Sequence, residues 1–448
     1  YEGGSLRKGI WPNLLAAVSL TQLLDRLGDK GLELMGIADS VRDELRFVFP
    51  FLLKMQDSKT GVAYMDVAGG ERRDNADNRW TDNAVSADDR KIRTEYDPWV
   101  QGFYIAALAG MAKYLKSKAD QKKALSAATR CANALPDLIE PEVIAQSTAI
   151  IGLTELMRAE PSAKKTFADR LTAVGDQLIE LQETRPTGSL TGFFLSDERR
   201  DDFHRHHGLA GVPLIALARL TQSSTGKQQI KWRQALSSYA AGVKLELVKR
   251  NAFGAMPYGL YRGHSLGEYR RDLGAGLNYR YFMSPFRDLL RHRPLRKLGM
   301  EHGTNAHLLS TAAGLLEAAA ALQDKTVAEQ CRRVAEDQAR WVFGFNPLDI
   351  SFMTGIGLNN PYPHSRFIGQ TPGGIMLGAI GGPDDIAWVE RLGLMDWRTC
   401  EYWIVNNAWF LWFSAWIADP SKTAYASVGA ALRRSEIKAR RSTRASKQ

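Results

Sequence analysis

Apolar residues recur at three- and four-residue spacing over 14–27, 41–55, 99–115, 123–135, 143–157 and 163–181 in the first half of the chain, which predicts six amphipathic or buried helices. The second half repeats the pattern over 209–220, 228–248, 305–322, 326–342 and 401–417, with a twelfth helix expected near 286–293. Alternation of the strand type is nearly absent, the best case being 60–67 (TGVAYMDV), read as a short hairpin strand. The pattern is therefore all-α, and the helices follow one another in pairs.

Three connections break that rhythm. Residues 68–95, 250–285 and 344–398 are rich in Gly, Pro, Asn, Asp and aromatics and exceed what a compact domain needs to join neighbouring helices. Long loops on a rigid scaffold are where binding and catalysis concentrate. Twelve helices joined as hairpins suit an (α/α)6 barrel whose loops form a cleft at one end, and no boundary divides residues 1–430, which are expected to form a single catalytic-type domain.

Composition changes this picture little. The chain has 448 residues, 44% hydrophobic and 24% charged, which are ordinary globular values. Its net charge of +10 invites a nucleic-acid reading. Residues 433–448, however, carry seven Lys or Arg against Glu436 alone, so the rest of the chain is nearly balanced and no nucleic-acid partner is expected. Residues 431–448 are read as a basic, disordered tail. The apolar run 402–418 is interrupted by Asn406, Asn407 and Ser414 and is too short for a bilayer, so it is expected to be a buried helix and not a membrane span. Cys131, Cys331 and Cys400 show no metal-ligand spacing and are read as buried thiols. The chain starts at Tyr1 without a signal-like segment; an extracellular or periplasmic location is expected.

Two polar clusters draw attention. HRHH at 204–207 has imidazoles but no acidic or cysteine companions at ligand spacing, so a helix-entry loop is favoured over a metal site. The acidic stretch 74–89 (DNADNRWTDNAVSADD) offers carboxylates for a structural calcium but lacks the spacing of a calcium loop, and no other cofactor is expected.

The richest segment is 340–385 (RWVFGFNPLDISFMTGIGLNNPYPHSRFIGQTPGGIMLGAIGGPDD), followed by Glu401, Ile404, Asn407 and Ala408, with HGTN at 302–305 and NAFGAMPY at 251–258 upstream. These stretches resemble glycoside hydrolase family 9, motif after motif. The resemblance implies an (α/α)6 barrel and an inverting hydrolase of β-linked glucan or a related polysaccharide, with Glu401 as general acid. Independently, Trp341, Phe345, Tyr362 and Trp397 could offer flat faces to pyranose rings, Tyr402 flanks the acid, and His364 and Arg366 could hydrogen-bond sugar hydroxyls. An apolar setting for Glu401 favours its protonated form, as a proton donor requires.

The water-activating partner departs from the family. Its Asp-Ala-Gly-Asp motif corresponds to Glu2, Gly3, Gly4 and Ser5, with Lys8 at the following lysine. Ser5 replaces the family's base and accepts no proton near neutral pH, although its hydroxyl could hold the water. Glu2 is then the candidate base, with Glu95 and Asp97 in RTEYDPW as alternatives. A carbohydrate-binding pseudoenzyme, or another chemistry on the same fold such as a lyase or a glycosidase for amino or acidic sugars, stands beside the hydrolase reading.

Overall fold

The computed structural model describes residues 8–69, 90–135, 142–197, 202–262, 271–282, 302–364, 370–381, 384–389 and 397–418. In chain order the helices are α1 (Ile10–Met35), α2 (Ala38–Lys54), α3 (Pro98–Ala112), α4 (Lys118–Ala134), α5 (Val143–Ala159), α6 (Ala163–Glu180), α7 (Val212–Ser223) and α8 (Gly226–Tyr239). A π-helical stretch, Ala240–Leu245, joins α8 to α9 (Glu246–Val248), and α10 (Asn305–Ala321), α11 (Lys325–Val342), α12 (Trp397–Cys400) and α13 (Ile404–Ile417) complete the set.

Six of these close a ring. α1 packs on α3, α3 on α5, α5 on α7, α7 on α10, α10 on α13, and α13 returns to α1; α2, α4, α6, α8 and α11 pack outside against the helix each follows. This is the (α/α)6 barrel that the paired pattern predicts. The division into layers follows from sequence: α3, α5, α10 and α13 are apolar nearly all round, as a helix covered on every side must be, whereas α4 and α11 bury one stripe.

The barrel floor, away from the inner-helix N-termini, is closed by charge. Arg219 of α7 donates to Glu317 of α10 at 3.2 Å and to Gln22 of α1 at 2.9 Å, and it lies 3.7 Å from Glu155 of α5. Trp412 Nε1 of α13 donates to the same Glu317 at 3.1 Å, so four inner helices besides α5 share one buried knot. A buried carboxylate survives only with such partners.

Against the expected elements, the eleven principal helices are all present. The strand expected over 60–67 is shorter: Gln56 and Ala63 form an isolated bridge, and regular pairing begins only at Asp66–Gly69, between Lys8–Gly9 and Arg90–Arg93. The helix expected near 286–293, the acidic stretch 74–89 and the basic tail lie outside the described residues. Cys131, Cys331 and Cys400 are buried and unpaired with one another.

Candidate active site

Glu401 does not belong to the last helix, although its periodicity runs on from that helix. Residues 400–403 are drawn out between two neighbouring segments: His364 N donates to Cys400 O at 3.0 Å, Leu377 N to Glu401 O at 3.0 Å and Trp403 N to Ile375 O at 3.4 Å. These bonds hold the backbone extended, so α13 starts at Ile404 with Trp403 as its N-cap, and Glu401 is a bridge residue instead of a helix-capping one. The two asparagines inside the apolar run explain themselves here. Asn406 Nδ2 donates to Ile375 O and Met376 O at 3.2 and 2.8 Å, and Asn407 accepts from Ile375 N at 3.1 Å while donating to Gly373 O at 2.8 Å.

The Gly-rich loop over 373–379 is pinned from its other side by the start of α10. Asn305 N and Thr304 N donate to Leu377 O and Ala379 O, both at 3.0 Å, and Asn305 Nδ2 to Met376 O at 2.9 Å. Gly378 must be glycine: its φ is +99°, and a Cβ there would lie 2.4 Å from Asn305 Oδ1. The HGTN motif, the Gly-rich loop and Glu401 are thus layers of one hydrogen-bonded stack.

Beside Glu401 the N-terminal ends of five inner helices meet through their rings. Trp11 of α1 lies edge-on to both Trp99 of α3 and Trp403, with centroids 5.3 and 5.4 Å apart. Trp99 approaches His206 at 6.2 Å, His206 stacks on His207 at 4.6 Å, His207 on His302 at 4.7 Å, and His302 on Trp403 at 4.8 Å. α5 joins through Val143 N, which donates to Ser196 O at 3.1 Å next to the bridge between Leu195 and Phe203. The ring circuit forms the base of the barrel mouth.

The imidazoles in it are neutral. Burial pushes His206 down to about 4 and His302 down to about 3, and it holds His207 well below the ordinary histidine value, with neighbouring imidazoles lowering it further. Stacked planes, 15° apart for His206 and His207 and 22° for His207 and His302, do not converge their in-plane lone pairs on one ion. Among the described residues no group of three His, Cys, Asp or Glu is arranged to hold a metal. HRHH is the loop that enters α7.

The other expected site residues fall in several places. His364 is partly buried and paired with Glu401 in a parallel bridge. Tyr362 is 59% exposed, Phe345 57% and Trp397 37%, the last lying edge-on to His302 at 5.6 Å. Trp341 is 3% exposed, packed on Phe253 and Phe282, so it is buried in the last turn of α11 with no open face. The Tyr402 hydroxyl is committed to the scaffold, 2.6 Å from Thr354 Oγ1 and accepting from Thr371 N at 3.1 Å. Glu2, Ser5 and Arg366 lie outside the described residues. Sequence reasoning missed Trp11, Trp99, Trp403, His206, His207 and His302 as one cluster. The only local signals were HRHH, HGTN and EYDPW, each legible alone and none pointing to the others.

Comparison with known proteins agrees with this fold. Residues 220–414 match the model of Glycosyl hydrolase family 9. No curated protein matches the chain. Among solved structures, the endoglucanase CelQ from Clostridium thermocellum complexed with cellotetraose superposes with a TM-score of 0.60 at 16% identity, over 93% of this chain and 63% of that one. The cellulase Cel9M of C. cellulolyticum gives 0.57 at 15% identity, over 93% and 86%. The endoglucanase of the termite Nasutitermes takasagoensis gives 0.58 at 15%, over 95% and 87%. The chain spans about 63% of the length of CelQ. The chain thus has a family 9 glycosyl hydrolase signature over 220–414, and its described residues have the (α/α)6 fold.

Proposed function

We propose that this protein is an inverting glycoside hydrolase acting on a β-linked glucan, with Glu401 as general acid. The observation that carries the reading is the fixing of Glu401: three backbone hydrogen bonds and the Asn406/Asn407 clamps hold it at the mouth of the barrel, beside His364 and Trp403. A proton donor must be held where the leaving oxygen will be, and positioned acid catalysis is worth about 10²–10⁴-fold. The family 9 match over this segment and the cello-oligosaccharide bound by CelQ favour a β-glucan chain as substrate.

In the proposed reaction the sugar lies across the ring circuit, with exposed Tyr362, Phe345 and Trp397 along the rim as apolar faces. His364, together with Arg366, hydrogen-bonds hydroxyls near the scissile bond. Glu401 gives its proton to the glycosidic oxygen as the bond to the anomeric carbon breaks. A second carboxylate takes a proton from water attacking the opposite face, and inversion needs the two carboxyls about 6.5–9.5 Å apart. Glu2 is the residue that chain position puts forward for that task, with Ser5 to hold the water. The substitution at Ser5 favours a second reading, a binding protein that keeps the cleft and has lost turnover.

Reducing-end release from β-glucans, chitosan oligosaccharides and uronic-acid polymers, with NMR of the first-formed anomer, separates these readings. Release of α-anomer from a β-glucan is expected. Saturable binding with no release from any polymer would establish the second reading, and an unsaturated product would indicate a lyase.

A further inference from the structure

We propose that a cavity between the hairpin of Gln182–Glu183 with Phe193–Phe194 and the strand Gly259–Arg262 binds a hexuronic acid, with Arg262 holding its carboxylate. The site lies outside the machinery assigned to Glu401, and its occupation needs no turnover.

The cavity measures about 460 Å³, within the range of small-ligand sites. It belongs to the mouth end of the barrel. The hairpin lies in the connection from α6 to α7 and the strand in the connection from α9 to α10, and both lead into the N-terminus of an inner helix. The walls are rigid. Thr187 N and Leu190 N each donate to the other's carbonyl, at 2.8 and 3.2 Å, and Gly192 N donates to Glu183 O at 2.7 Å. Gln182 Nε2 ties the hairpin to Gly192 O and to Ala235 O of α8 at 2.8 and 3.0 Å. Gly188, at φ +58°, lies so close to Leu273 that a Cβ would come within 2.3 Å of Leu273 O. The hairpin is therefore seated on the turn before Leu277–Arg280, the strand with which Gly259–Arg262 pairs.

The lining carries one cation more than it neutralises. Arg185 and Glu183 cancel: Glu183 Oε1 accepts from Arg185 N and Nε at 3.0 and 3.1 Å, and Oε2 accepts from Nη2 at 3.1 Å. Arg262 is exposed, and among the described residues no carboxylate or carbonyl accepts from its guanidinium. That group lies over the buried Phe203 ring, its central carbon 4.9 Å from the centroid, and Phe203 is itself packed edge-on against Phe193 at 5.3 Å. A guanidinium stacked in this way keeps its N–H edge for a planar, two-pronged acceptor, which is the geometry of a carboxylate.

The remaining lining suits the rest of a sugar ring. The Thr187 hydroxyl and the Glu183–Arg185 pair can exchange hydrogen bonds with ring hydroxyls, while Pro186 and Leu195 offer apolar contact to C–H groups. Inorganic phosphate would leave most of the cavity empty and set a second negative charge near Glu183. A neutral sugar would leave Arg262 unused. One unbalanced cation, groups that bind hydroxyls and an apolar surface together match a sugar carrying a single negative charge.

The test titrates methyl β-D-glucuronide, methyl β-D-glucoside and inorganic phosphate into the full chain and into Arg262→Gln, read by ligand-observed NMR beside thermal melts. The parent is expected to bind the glucuronide about tenfold or more tightly than the glucoside, and added salt is expected to weaken that preference. Arg262→Gln is expected to keep its Tm within a few degrees, as an exposed substitution does, and to bind the two glycosides alike. Failure of the parent to bind the glucuronide, or equal binding of the two glycosides, overturns the proposal. So does a preference for the glucuronide that survives in Arg262→Gln. Displacement of the glucuronide by an equal concentration of phosphate overturns it in favour of a simple oxyanion site. Hydrolysis enters none of these outcomes, so a failed titration leaves the hydrolase reading intact, and a parent inert on every glucan leaves this site standing.

Discussion

The Trp403 indole and the His302 imidazole lie face to face, 8° from parallel with centroids 4.8 Å apart, two residues beyond Glu401 in the chain. A neutral imidazole can stack there; an imidazolium would bring a charge into a column of buried His207 and partly buried His206. The column therefore ties the mouth of the barrel to pH. In the folded protein His206 titrates near 4 and His302 near 3, against 6.5 for an unperturbed ring. Between those values the unfolded chain binds more protons than the folded one, so stability falls as pH drops below 6.5. His206 contributes up to roughly 3 kcal/mol to that loss and His302 up to roughly 5 kcal/mol. Unfolding by urea at a series of pH values should show the slope, and His302→Phe should flatten it by about one proton.

Glu401→Gln keeps the size and hydrogen-bonding capacity of the side chain while removing its proton. Activity should fall at least 10³-fold with little change in Tm, because the backbone bonds that hold residues 400–403 do not involve the carboxyl group. Steady-state kinetics on a β-glucan together with a thermal melt checks both halves of that statement.

Arg219 is the cation between two buried carboxylates, Glu317 and Glu155. Removing it takes the close cation from Glu317 and leaves Glu155 to Arg158 alone, and losing one partner of a buried ion network costs about 3–5 kcal/mol. Arg219→Met should lower stability by that amount, and part of the loss should be recovered at acid pH, where the carboxylates protonate. The acid recovery distinguishes lost charge pairing from lost packing in urea titrations.

Lys244 lies in the π-helical stretch, buried over the Tyr239 ring at 5.0 Å, and burial pushes its ammonium down to about 8. At pH 7 the folded protein carries that charge at a cost. Lys244→Met should therefore stabilise it by about 1–3 kcal/mol. The gain should shrink as pH rises from 8 towards 10.5, where the folded parent has shed its proton and the unfolded chain has not.

Gly211 sets the spacing of α7 and α10. A Cβ at this position would lie 1.7 Å from Ser310 O, which is main chain and cannot rotate away. Gly211→Ala should separate the two helices and cost at least 1–3 kcal/mol, with loss of soluble expression as the severe outcome. Circular dichroism melts read the effect.

The helical period alone determined most of the scaffold. Burial of one stripe or of every side of a helix is written in consecutive residues, so eleven helices, their pairing and the barrel were legible before any contact was known. The same period misled at one point. Glu401 continues the α13 pattern, yet the main-chain groups of 364, 375 and 377 hold it extended, and competition from backbone hydrogen bonds supplied by distant segments leaves no mark on side-chain periodicity. Loop chemistry was legible where residues act within one segment, as in the Gly-rich stretch before Glu401. The circuit of Trp11, Trp99, His206, His207, His302 and Trp403 draws on five segments spread over some 390 residues, and only closure of the six-helix ring brings those helix entries to one end. A single sequence records what each residue needs from its neighbours along the chain. Which entries face one another across the mouth is decided by helix packing around the barrel.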